Sequence, residues 1–80
     1  MFHKVKEVYP LEDKRLNVIF ADGTTKAYAA KPLVDNWAAF KPLEDGALFD
    51  FVEVDAGGYG ISWNEDIDVS CDELWGHGKQ

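Results

Sequence analysis

Residues 48–63 read Leu-Phe-Asp-Phe-Val-Glu-Val-Asp-Ala-Gly-Gly-Tyr-Gly-Ile-Ser-Trp, and this stretch decides the fold. It predicts a β-hairpin with arms at 49–54 and 59–63, joined by a turn that contains two consecutive glycines. In the second arm Tyr59, Ile61 and Trp63 alternate with small residues. This period of two places the three large side chains on one face of a strand. We therefore expect the hairpin to form the centre of the hydrophobic core.

Three further strands are predicted before it, at 3–9, 15–20 and 24–29. In the first of these the apolar spacing slips near Glu7, which predicts a β-bulge. An Asp-Gly turn at residues 22–23 joins the other two, because both residue types tolerate the backbone angles of a tight hairpin. With two hairpins in the chain, we expect a small antiparallel sheet of about five strands.

One main helix is predicted to cover a face of this sheet. Over residues 31–40, Leu33, Trp37 and Phe40 recur at i, i+4 and i+7, so one stripe of the helix is apolar. A proline in its first turn is tolerated, since the N–H that it lacks has no partner there. The stripe is expected to pack on the hairpin rather than to line a cofactor pocket.

A short helix is predicted to close the chain. Ser70 and Glu73 have the spacing of a capping box, and Gly76 is expected to end the helix. Residues 76–80 are expected to form a disordered tail. The predicted fold class is therefore α+β, in a single small domain that spans residues 1–80.

The charge of the chain is concentrated in its second half. Within a net charge of −7, residues 1–41 carry seven basic and five acidic side chains, and residues 42–80 carry one basic and ten acidic. Acidic surfaces repel phosphate backbones, so we expect no direct nucleic-acid binding. A single cysteine excludes an internal disulfide, and no apolar run reaches the ~18 residues that cross a bilayer. With no signal-like start, we expect a cytoplasmic protein without membrane association.

Acidic residues that follow the hairpin form the candidate binding site: Glu65, Asp66, Asp68, Asp72 and Glu73. We predict that they bind a basic protein partner. Carboxylates also bind hard cations, so a metal- or small-ligand-sensing regulatory domain is the alternative, although no glycine between 64 and 73 suits a calcium loop. A third interpretation is that these charges only maintain solubility. An exposed edge strand also leaves a homodimer open.

No catalytic residue, cofactor site or metal site is predicted, and we expect that the chain is not an enzyme. His3 and His77 lie near opposite ends of the chain, away from any second ligand at metal-binding spacing. The glycines at 57–60 precede a strand rather than a helix, so they do not form a phosphate loop. Cys71 lies at a predicted helix start, where a thiol pKa can fall. A reactive thiol and a half-buried structural cysteine are both open interpretations.

Several short motifs run through the chain: Lys4-Val5-Lys6-Glu7-Val8, Leu16-Asn17-Val18-Ile19-Phe20-Ala21-Asp22-Gly23, Lys31-Pro32-Leu33, Val52-Glu53-Val54-Asp55, Ile61-Ser62-Trp63 and Asp66-Ile67-Asp68. Their order and spacing resemble the bacterial domain of unknown function 2442 family, over about residues 3–75. The resemblance implies a small intracellular α+β domain without established catalytic activity. Some members are encoded beside a small basic protein, in an arrangement similar to a toxin–antitoxin pair, which implies an antitoxin-like role. Longer members carry a C-terminal helix-turn-helix that residues 1–80 do not contain, so a transcriptional role is expected only if a partner supplies the DNA contact.

Overall fold

A computed structural model describes residues 2–80 and confirms the α+β class. Within these residues, no helix has the length and apolar character that a membrane crossing requires. Short 3-10 segments connect several of the main elements. The strands and helices are β1 (Val5–Leu11), β2 (Arg15–Phe20), β3 (Thr25–Ala29), α1 (Lys31–Asn36), α2 (Gly46–Phe49), β4 (Glu53–Val54), β5 (Gly60–Asn64), β6 (Ile67–Ser70) and α3 (Cys71–His77).

The strands form two three-stranded antiparallel sheets instead of the single five-stranded sheet that we expected. The first sheet has the order β1-β2-β3, and the second has the order β4-β5-β6. β6 was not predicted from the sequence. Its signal is the short alternation of Ile67 and Val69, which are both buried, and this alternation directly follows the acidic residues Glu65 and Asp66. β1 also lies against β4 and β5, so the two sheets are neighbours around a shared core.

The first sheet follows its sequence signals closely. β2 has the predicted bounds, and the β1–β2 register shifts between Val5 and Glu7, where a bulge was predicted. At the Asp-Gly turn, Gly23 has a φ of 91°, in the left-handed region that favours glycine. The carboxylate of Asp22 accepts a hydrogen bond from the N–H of Thr24 at 2.9 Å, which holds the turn.

The predicted helix over 31–40 is wrong in its second half. α1 ends at Asn36, and Trp37 takes an extended conformation with φ −126° and ψ 121° before a 3-10 segment begins at Ala38. Pro42 does not account for this end, because in an α-helix its ring would clash with the carbonyl of Ala38, which already lies beyond Asn36. With the chain extended at position 37, Trp37 is 61% exposed instead of packing on the sheet.

The first arm of the predicted hairpin is confirmed only at residues 53–54, where β4 pairs with β5, and is wrong over residues 49–52. Asp45 caps α2 by accepting a hydrogen bond from the N–H of Ala47 at 2.9 Å, so Phe49 lies in a helix rather than in a strand. β4 is consequently only two residues long. Aspartate at a helix N-cap stabilises the first turn by about 1 kcal/mol, which favours this start over an extended arm.

The second arm is confirmed for two of its three large side chains. Ile61 and Trp63 are buried in β5, but Tyr59 precedes the strand and is 49% exposed. Its backbone is helical, with φ −79° and ψ −4°, and this interrupts the alternation that we predicted. The preceding Gly58 has a φ of 78°, and a Cβ atom there would lie 2.6 Å from the carbonyl oxygen of Val5. The close approach of two backbones therefore sets the geometry of this turn.

The closing helix α3 begins where the capping box predicts. The hydroxyl of Ser70 accepts a hydrogen bond from the N–H of Glu73 at 3.2 Å. The helix continues one residue past Gly76, where we expected it to end. Within the segment that we expected to fray, Lys79 pairs with Ala27 of β3 through two backbone hydrogen bonds of 2.7 and 2.8 Å.

A single hydrophobic core joins both sheets and α3. α3 contacts β3, β5 and β6, so it connects the two sheets on one side of the domain. The core includes Leu16, Val18 and Phe20 of the first sheet, Ile61, Trp63 and Val69 of the second sheet, and Leu74 of α3.

Candidate functional site

The second sheet turns one face toward the core and the other toward solvent. Its register places Glu53 opposite Ser62, and Ser62 opposite Asp68, across β4, β5 and β6. These three side chains lie on the solvent side, because the residues that alternate with them, such as Val54 and Ile61, pack in the core. Glu53 and Asp68 are exposed. Each edge strand of the sheet therefore carries a carboxylate, with a hydroxyl between them.

Asp55 adds a third carboxylate beside this row. The hydroxyl of Ser62 donates a hydrogen bond to Oδ1 of Asp55 at 2.6 Å, and the backbone N–H of Asp55 donates to the carbonyl of Gly60 at 2.9 Å. We call Glu53, Asp55, Ser62 and Asp68 the acidic face. Glu53 and Asp55 were absent from the predicted site. The signal that could have found them was their alternation with two valines.

Further carboxylates extend the negative charge around β6. Glu65 and Asp66 form the turn before β6, where Oδ1 of Asn64 accepts hydrogen bonds from the N–H groups of Asp66 and Ile67 at 2.8 and 3.0 Å. Asp72 lies in the first turn of α3, just after β6. All three acidic side chains are exposed. Together with the acidic face, Glu65, Asp66 and Asp72 make up what we call the acidic surface.

Glu73, the remaining residue of the predicted site, is engaged within the domain. One carboxylate oxygen accepts a hydrogen bond from the hydroxyl of Tyr28 at 2.9 Å, and the other lies 3.1 Å from Nδ1 of His77. Burial raises the pKa of Tyr28, and the hydrogen bond to the Glu73 carboxylate raises this pKa further. Glu73 therefore attaches α3 to β3, and we leave it out of the acidic surface.

The two histidines occupy separate aromatic and ionic contacts. The ring of His3 stacks on Trp75, with centroids 3.6 Å apart, while His77 lies beside Glu73. Among residues 2–80, no group of three or more His, Cys, Asp or Glu side chains is arranged to hold a metal ion. The metal-sensing alternative thus gains no support from the geometry of these residues.

Cys71 has the environment of a structural cysteine. Its side chain is buried at 1% exposure. Burial raises the pKa of the thiol, and the charge of Asp72 raises this pKa further. Backbone hydrogen bonds act in the opposite direction but do not outweigh burial. Of the two interpretations that the sequence left open, the geometry favours the structural one.

The surface also carries small clefts and exposed aromatic side chains. A cleft of about 260 Å³ is lined by Phe2, His3 and Phe20 among others, whereas small-molecule sites usually measure about 300–1,000 Å³. Phe51 lies two residues before β4 and is 73% exposed. Exposed aromatic residues often anchor protein interfaces. Phe51 therefore offers an apolar contact point close in sequence to the acidic face.

These features define a class of protein: a small α+β domain that presents a surface rich in carboxylates around one of its two sheets. The model of a family described as "Protein of unknown function (DUF2442)" matches residues 5–80. Because this match covers nearly the whole chain, the chain belongs to that family, as the sequence motifs predicted. No curated protein and no solved structure matches the chain.

Proposed function

We propose that the chain is a non-enzymatic bacterial protein-interaction domain that works in the cytoplasm and binds a basic protein through its acidic surface. The observation that carries this proposal is the grouping of carboxylates at residues 53, 55, 65, 66, 68 and 72 around β5 and β6. No lysine or arginine occurs between residues 42 and 78 to neutralise them.

Electrostatics supplies the physical argument for a basic partner. Glu53 and Asp68 lie on the two strands that flank Ser62, so their Cα atoms are about two strand spacings, or about 10 Å, apart. Like charges at this distance repel each other weakly in the free domain, because about 10 Å is the screening length of 0.1 M salt. Lysine and arginine side chains from a partner would relieve this repulsion, and the negative field would also speed their approach.

A small basic protein is the partner that the family resemblance suggests, which would make this chain the acidic, antitoxin-like member of a pair. We propose no direct contact with nucleic acid, since the same carboxylates repel phosphate groups. The metal- or small-ligand-sensing alternative is not favoured by any grouping of three or more metal-binding side chains within residues 2–80.

The proposal is tested by recovering partners with the tagged domain from a native bacterial lysate. At low salt we expect a basic protein to bind, and at about 0.5 M NaCl we expect it to be lost, because salt screens exposed charges. The recovered protein is then purified, and its affinity for the domain is measured by calorimetry.

Two charge variants with the same net change distinguish a defined surface from overall charge. The first is Glu65→Gln, Asp66→Asn, Asp68→Asn and Asp72→Asn, and we expect it to lose the partner. The control neutralises four exposed carboxylates on other elements, by Glu12→Gln, Asp13→Asn, Glu44→Gln and Asp50→Asn, and should retain most of the affinity. Equal losses in both variants, or no basic protein recovered at low salt, would contradict the proposal.

A further inference from the structure

The two sheets have four edge strands, and three of them are obstructed by neighbouring chain. β1 lies against β4 and β5 and contains Pro10, which has no N–H to offer. β3 is paired at Ala27 with Lys79, and β4 is two residues long and lies against β1. Within residues 2–80, the outer side of β6 makes no backbone hydrogen bond. β6 is thus the edge at which another strand can add.

The hydrogen-bond pattern identifies which backbone groups of β6 face outward. The N–H of Cys71 donates to the carbonyl of Tyr59 at 2.8 Å, at the end of the β5–β6 ladder. Bonded pairs alternate with non-bonded pairs in an antiparallel ladder, so Ile61 and Val69 form the next bonded pair. Ser70 lies between these two bonded pairs, and Asp68 lies just beyond the pair of Ile61 and Val69. Neither residue forms a backbone hydrogen bond to β5 in this pattern. Their N–H groups, and the carbonyl of Asp68, therefore point away from β5 into solvent.

The side chains of β6 determine which kind of segment fits this edge. Asp68 and Ser70 are exposed on the solvent side, while Ile67 and Val69 are buried on the core side. An added strand would place its alternate residues beside these two sets. Basic residues beside Asp68 gain a favourable cross-strand charge pair, and β-branched residues beside Val69 extend the core. A second copy of the chain is disfavoured, because each copy carries a net charge of −7.

We propose that β6 accepts an extended segment of a basic protein, with alternating basic and apolar residues, as a fourth strand of the second sheet. This inference rests on the proposed function and specifies its binding mode. Backbone hydrogen bonds to Asp68 and Ser70 hold the added strand, and the acidic surface selects its charge.

A proline at position 70 tests the backbone contact directly. Ser70 already has a φ of −72°, close to the value that proline imposes, so Ser70→Pro removes the outward N–H with little change in backbone geometry. Ser70→Ala is the matched control, because it loses the same helix cap and keeps the N–H. Circular dichroism is used to show that both variants are folded.

The probe is a capped peptide of alternating lysine and valine, about eight residues long. A lysine–glycine peptide of equal charge is the comparison, because it has low β-propensity. We expect the lysine–valine peptide to bind wild type and Ser70→Ala alike, and Ser70→Pro about tenfold more weakly. In wild type it should also slow hydrogen exchange at the amides of Asp68 and Ser70. If Ser70→Pro does not fold, a peptide N-methylated on alternate amides replaces it and should bind about tenfold more weakly than its parent.

The outcomes separate this inference from the proposed function. Equal binding of the two peptides, or equal binding to the two variants, would overturn strand addition and leave the acidic surface as an electrostatic site. Failure of both peptides to bind would overturn strand addition and also count against the proposed function. If the wild-type domain sediments as a dimer and Ser70→Pro sediments as a monomer, the strand that adds to β6 would belong to a second copy of the chain instead of to a basic partner.

Discussion

Trp63 joins the two ends of the stretch at 48–63, which the predicted hairpin was expected to join by strand pairing. Its Nε1 donates a hydrogen bond to the carbonyl of Phe49 at 2.9 Å, and the two rings stack with centroids 5.9 Å apart. The indole is only 7% exposed. The two ends of the stretch are therefore joined mainly by the Trp63 side chain, and strand pairing between β4 and β5 covers only two residues of β4.

The contribution of Trp63 is tested by truncation. We expect Trp63→Ala to lower the free energy of unfolding by about 3–5 kcal/mol, because it leaves a cavity and an unpaired carbonyl. Trp37→Ala is the control, since an exposed side chain should change stability by no more than about 0.5 kcal/mol. Urea denaturation followed by circular dichroism measures both. A loss of similar size in the two variants would show that Trp63 has no special place in the core.

At the scale of elements, α3 is held on β3 by two polar contacts. The ammonium group of Lys26 donates to the carbonyl of Trp75 at 2.7 Å and lies 4.0 Å from the centroid of its ring. Tyr28 donates to Glu73 at 2.9 Å from the same strand. Since α3 also packs against β5 and β6, these two contacts connect the first sheet to the second through α3.

The contact between Tyr28 and Glu73 should make stability fall at alkaline pH. The pKa of Tyr28 is raised in the folded state, so its contribution is fully present below about pH 10, the pKa of an unfolded tyrosine, and is lost progressively as the pH rises from there toward the folded-state pKa. We expect Tyr28→Phe to cost about 1–2 kcal/mol at pH 7. Between about pH 10 and 12 it should also reduce the fall in the urea midpoint. An alkaline fall as large in Tyr28→Phe as in wild type would contradict this assignment.

At the scale of the whole molecule, the two sheets share one core and should unfold together. Leu16 of the first sheet and Ile61 of the second are fully buried in the same cluster. Leu16→Ala should therefore lower the global stability by about 2–5 kcal/mol and reduce amide protection in β5 by the same free energy as in β2. Hydrogen exchange detected by NMR measures this. Protection in β5 that stays at the wild-type level would show that the sheets are separate folding units.

The features that sequence reasoning predicted correctly depend on residues close together in the chain. The Asp22-Gly23 turn and the start of α3 at Ser70 each result from a contact within about four residues, and the bulge near Glu7 is visible in the local slip of the apolar spacing. The alternation of Leu16 and Val18 similarly placed β2 correctly. Glu65, Asp66, Asp68 and Asp72 are exposed, as charged residues usually are, and their role as a binding site stays a prediction.

The features that it missed depend on residues far apart in the chain. Nothing in the sequence near Trp37 shows that α1 ends before it, since Pro42 would interrupt an α-helix only from about Ala38 onward. Glu53 and Asp68 are fifteen residues apart, and only the pairing of both strands with β5 brings them to one face. Glu73 looked like its acidic neighbours until the fold placed it against Tyr28.

The sequence by itself determined the family, the α+β class, the β2 strand, the turn at Gly23, the cap of α3 and the uneven charge. Local backbone chemistry and composition are sufficient for these features. Only the tertiary structure decided that residues 48–63 begin in a helix, that the strands divide into two sheets, and that β6 presents an open edge beside the acidic face. The physical reason is that strand pairing and burial depend on partners distant in sequence, whose backbone groups and side chains compete for the same small core.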